Sequence, residues 1–168
     1  MRTDILIAKI LVIICISFLI IAALLEIISR LTQVVCKKKW KRRVPYTHLV
    51  REAIYYTGSI LYEKKIKNYP TFKIYYYKHK KFMGVFNGVV IIYIKSNPDM
   101  PTLINTILHE VKHYMQSKTD KQFKRYDEFT NIYGYYDNPF EIESRAFADE
   151  HCDACLKYLE SKQMIKRA

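Results

Sequence analysis

One stretch restricts the architecture more than any other. From Pro101 to Ser117, apolar residues recur at Leu103, Ile104, Ile107, Leu108, Val111 and Met115, a spacing that predicts an amphipathic helix with one broad apolar stripe. Pro101 suits the first turn of such a helix. His109 and His113 fall on the side opposite the stripe. A domain made from this chain must therefore bury one face of the helix and keep two imidazoles available on the other.

Those imidazoles belong to His109-Glu110-Val111-Lys112-His113, a sequence of the form HExxH. Residues i and i+4 of a helix lie one above the other, so both rings can reach one tetrahedral ion. Zinc is the expected cofactor, and Glu110 is placed to act as general base toward a water acidified by the metal. Catalytic zinc needs a third protein ligand. Thr119 stands where a third histidine would follow in a metzincin-type pattern, so the search moves downstream to Asn138–Ala148. There Asn138 as N-cap and Pro139 at the first helical position give Glu141 a capping-box role. Glu143 has no such local explanation, and it lies off the stripe formed by Ala148, Cys152, Cys155 and Leu159. Glu143 is the expected third ligand, with Glu141 the competing carboxylate.

HEVKH followed by Glu143-Ser144-Arg145-Ala146-Phe147-Ala148 resembles the gluzincin-type zincin metallopeptidases, most nearly the ImmA/IrrE-like branch. In that branch an E-A-N-x-F-A pattern on a second helix places its glutamate on zinc; here Ser144 and Arg145 stand for the usual Ala-Asn. The likeness runs from about Phe82 to Leu156. It implies a zincin-like domain, zinc at His109, His113 and Glu143, and hydrolysis of a protein or peptide substrate.

Around this centre the chain reads as α+β. Tyr46–Lys67 has helical spacing, and Phe72–Tyr77, Phe82–Phe86 and Val89–Ile94 read as strands. Asn87-Gly88 is a strong hairpin signal. The expectation is a helix, a three-stranded antiparallel sheet, the HExxH helix and a second ligand-bearing helix, all within residues 45–168. Val89–Ile94 is the candidate sheet edge for an extended substrate. Tyr133, Tyr135 and Tyr136 are candidates to stabilise an oxyanion.

The formal charge of +12 invites a nucleic-acid interpretation. Residues 1–44 carry nine Lys/Arg against two acids, leaving +5 for the other 124 residues. The excess is concentrated in Lys37–Arg43, behind the apolar run Ile5–Ile28. That run is long enough, at about 36 Å as a helix, to span a bilayer. The expected organisation is a transmembrane anchor over 1–30, a basic juxtamembrane segment over 31–44 and the domain behind it. The positive-inside bias then places the domain in the cytoplasm as part of a single-pass membrane protein. The basic cluster is explained by membrane headgroups, and a nucleic-acid partner is not expected. Cys152 and Cys155 have the spacing of half a zinc knuckle, but they share the apolar stripe and are expected to pack in the core. The alternative to a peptidase is a membrane-tethered, non-catalytic binding protein on a zincin scaffold.

Overall fold

The computed structural model describes residues 40–167. Its elements run β1 (Trp40–Arg42), α1 (Tyr46–Tyr56), α2 (Gly58–Glu63), β2 (Phe72–Tyr75), β3 (Gly84–Phe86), β4 (Val90–Tyr93), α3 (Met100–Thr119), α4 (Tyr126–Asp137), α5 (Pro139–Ser161) and β5 (Ile165–Arg167). Short 3-10 turns at Ile94–Ser96 and Lys121–Arg125 flank α3. Among the described residues the class is α+β, with five α-helices and little sheet.

The central helix α3 starts where Asp99 caps it, its side chain accepting from the Thr102 N–H at 2.8 Å, with Pro101 in the first turn. Ile104, Ile107, Leu108 and Val111 are fully buried against Leu49, Val50 and Ile54 of α1, Val90 and Ile92 of β4, and Ala148, Cys155 and Leu159 of α5. Each such side chain contributes roughly 1.5–3 kcal/mol on removal from water. The helix is buried on more than its apolar stripe: Thr106, Glu110, His113 and Gln116 are also inside. The histidine face is therefore packed beneath other elements rather than bathed in water.

The expected architecture is corrected in two respects. The sheet is mixed, not antiparallel, with order β2-β4-β3. β3 and β4 pair antiparallel through the Asn87-Gly88 turn, where Gly88 has φ +85°, but β2 pairs with β4 in parallel. The physical reason is burial. Val90–Tyr93 is the most continuously apolar strand and takes the centre, while β2 alternates between half-buried and exposed residues, as an edge strand does. Val89–Ile94 is thus the middle of the sheet, and β3 forms the edge beside α3. The second correction concerns the membrane. Among the described residues no helix is long and apolar enough to cross one. The expected span Ile5–Ile28 lies outside the described residues.

Smaller differences have local causes. The expected helix over Tyr46–Lys67 divides at Thr57, whose hydroxyl donates to the Ile54 carbonyl at 2.6 Å and competes with the helix ladder. Trp40–Arg42, expected within the basic juxtamembrane segment, is a strand paired antiparallel with β5. The Arg167 guanidinium lies 5.0 Å from the centre of the Trp40 ring, so part of this basic–aromatic segment is used within the fold.

Candidate metal centre

His109 and His113 project from the middle of α3 with their Nε2 atoms 3.1 Å apart. The carboxylate that meets them is Glu141. Its Oε2 is 3.2 Å from His109 Nε2 and its Oε1 is 3.0 Å from His113 Nε2. Glu143 is not at the site; it takes Lys112 Nζ at 2.6 Å and the Gln116 side-chain amide at 2.8 Å. The expectation of Glu143 as third ligand is therefore replaced by Glu141. The cap over α5 is made by Asn138, which accepts from the Phe140 N–H at 3.0 Å, and this leaves the Glu141 carboxylate free. Glu141 does lie on the apolar side of α5, as the wheel requires. That same side packs on α3 along its length, so its first turn delivers Glu141 to the histidines.

The three donors suit a metal ion. A tetrahedral ion with bonds of about 2.0–2.1 Å has ligand atoms about 3.3 Å apart, close to the 3.0–3.2 Å separations here. The group converges within 4.8 Å. Glu141 is 1 % exposed, and its Oε2 lies 3.2 Å from His109 Nε2 and 3.9 Å from Arg145 Nη1. Two imidazole nitrogens and a buried carboxylate oxygen facing one another call for a cation between them.

The protonation equilibria follow from this crowding. Burial raises the proton affinity of Glu141, but hydrogen bonds from His109, His113 and Tyr126 outweigh it and hold the carboxyl well below the usual range. For His113, burial acts downward and is outweighed by Glu141 and Glu110, so its pKa is raised. Glu110 is only 6 % exposed, and burial pushes its pKa up to about 8 despite the counteracting His113 charge.

These residues form the floor of a cleft of about 360 Å³. Gly84, Val85 and Phe86 of the edge strand β3 line one wall, and Phe123, Tyr126 and Tyr135 line another. The segment between α3 and α5 is thus a cover for the site. Gly134, with φ +77°, breaks α4 near its end. Of the tyrosine candidates, Tyr135 lines the cleft, whereas Tyr133 stacks on Phe129 and Tyr136 is 76 % exposed. Tyr126, which the sequence reading did not single out, donates its hydroxyl to Glu141 Oε1. Gln116, also missed, accepts at 2.9 Å from His113 Nδ1; its position one turn beyond His113 was the available signal. Cys155 is fully buried in the core and Cys152 is half-buried beside it, both as free thiols.

Comparison with protein families, with characterised proteins and with solved structures returns no match to this chain. What the chain offers is therefore argued from its own residues: a His109, His113, Glu141 group positioned to bind a metal ion.

Proposed function

We propose that this chain is a zinc-dependent peptidase in which His109, His113 and Glu141 hold the metal and Glu110 is the general base. The observation that carries this reading is a buried carboxylate, Glu110, lining the same open cleft as the convergent ligand group. A structural zinc site is closed and has no use for such a neighbour. Zinc held there supplies a Lewis acid for the scissile carbonyl and brings the pKa of water toward ~7.

Glu110 takes a proton from the attacking water and hands it to the departing amine. The outer edge of β3 offers main-chain groups along the cleft wall, to which an extended peptide adds as a further strand. Tyr135 lines the cleft beside the ligand group, and we assign it to hydrogen-bond the oxyanion as it develops.

Metal analysis by mass spectrometry and a peptide-library cleavage assay on the whole chain test this together. The expected result is stoichiometric zinc, lost in Glu141→Ala and kept at saturating zinc in Glu143→Ala. Glu110→Gln should keep zinc and lose cleavage. A folded chain that takes up no zinc would overturn the proposal, as would undiminished cleavage by Glu110→Gln. Zinc binding with no cleavage of any peptide would favour a non-catalytic binding protein built on the same site.

A further inference from the structure

We propose that Gln116 and Glu143 form a relay that fixes the imidazole of His113, so that Glu143 serves the site as a positioning residue. The inference rests on the metal-site reading above and adds residues which that reading does not use.

Gln116 is 3 % exposed and follows His113 by one helical turn on α3. The two ends of its amide can be told apart by their partners. One end faces the Phe140 carbonyl at 3.1 Å and Glu143 Oε2 at 2.8 Å. Both are acceptors, so this end is the NH₂ group. The other end, 2.9 Å from His113 Nδ1, is then the oxygen, which can only accept. His113 must carry a proton on Nδ1, so that with a metal bound it is the Nε2 lone pair that is directed to where His109 Nε2 and Glu141 Oε1 converge. Ser144 supports the same arrangement, its hydroxyl lying 3.4 Å from the Gln116 oxygen and 3.2 Å from His113 Nδ1.

The relay ends on a charge. Glu143 Oε1 accepts from Lys112 Nζ at 2.6 Å, and Lys112 is one of the two variable positions of the HExxH motif. α5 therefore grips His113 from both sides: Glu141 meets Nε2, and Glu143 acts through Gln116 on Nδ1. Lost outer partners of metal-bound histidines typically cost 10–100-fold in metal affinity.

The test is zinc affinity of the whole chain, by competition with a chelator, together with the NMR signal of the His113 Nδ1 proton in the zinc-loaded protein. Gln116→Leu should bind zinc about 10–100-fold more weakly and lose the slowly exchanging Nδ1 proton. Glu143→Ala should show a smaller loss, and Glu143→Gln, which still offers an oxygen to the Gln116 NH₂, should recover most of it. Should Gln116→Leu fail to fold, Glu143→Ala carries the test, because the Glu143 side chain is 56 % exposed. Wild-type affinity and an unchanged Nδ1 proton in Glu143→Ala and in any folded Gln116→Leu would overturn the relay and leave the metal site standing. A wild-type chain that binds no zinc would overturn both.

Discussion

Gly84 on β3 lies against Glu110 on α3 so closely that a Cβ at position 84 would come within 2.9 Å of Glu110 Cγ and 3.0 Å of its Oε1. The same Cβ would meet Thr106 Cγ2 at 2.7 Å. The absence of a side chain at residue 84 is what lets the edge strand approach Glu110. Gly84→Ala should therefore push Glu110 from its position, lowering cleavage at least about tenfold for a loss of about 1.4 kcal/mol in transition-state stabilisation. Zinc content should stay at the wild-type level. Parallel kcat and metal measurements check this, and unchanged kcat would show that Glu110 tolerates the displacement.

The metal-free chain should lose stability as pH rises through the neutral range. Glu110 has a folded pKa of about 8, raised by burial from 4.5. Its contribution is fully present below the unfolded value and is lost as pH rises through the folded one. The raised His113 pKa acts in the same direction. Thermal melts in chelator should show a falling Tm from about pH 5 to pH 9, with a shallower slope in Glu110→Gln. An identical slope in that variant would rule out Glu110 as the source.

Asn138 joins α4 to α5. Its Oδ1 accepts from the Phe140 N–H, and its NH₂ donates to the Tyr126 carbonyl at 3.3 Å and to Thr130 Oγ1 at 2.8 Å. The residue is fully buried, so removing it strips a cap and strands polar partners. Asn138→Ala should cost about 2–3 kcal/mol, lowering Tm by about 5–10 °C. Asn138→Asp keeps the capping oxygen and should recover only part of the loss. Calorimetry distinguishes these outcomes.

The thiols of α5 should react slowly. Burial, with smaller additions from Asp153, Asp149 and Asp99, pushes Cys152 up to about 11, and burial also raises Cys155. Against an ordinary thiol at 9.0, a value of about 11 leaves a thiolate fraction roughly a hundredfold lower at neutral pH. Iodoacetamide labelling followed by peptide mapping should find Cys152 and Cys155 unmodified in the folded chain. Labelling of Cys152 at the rate of a free cysteine would contradict this environment.

Local rules carried several features from sequence to structure. The period of Leu103–Met115 defines α3 and sets His109, Glu110 and His113 in their order on it. Gly88 turns β3 into β4 because a tight hairpin requires positive φ there. Asn138 and Pro139 start α5. Each of these depends on neighbours within a few residues, which is why the sequence suffices. The apolar run Ile5–Ile28 is equally legible as a pattern but lies outside the described residues.

Other features depend on which surfaces meet. A helical wheel places Glu141 and Glu143 on different sides of α5, but it does not say which side faces α3 at that end. Local capping suggested that Glu141 was occupied, yet Asn138 alone caps the helix and the packed side of α5 carries Glu141 to the imidazoles. The order of the sheet was likewise decided by burial, which drew Val90–Tyr93 to the centre and left β3 as the edge along the cleft. The sequence by itself determined the two histidines, Glu110 between them and the helix that holds them, since their placing follows from one 3.6-residue period. The meeting of Glu141 with the histidines, the Gln116–Glu143 contact and the tyrosine wall were decided only by the packing of α4 and α5 on α3, because they join residues whose proximity is fixed by no local period.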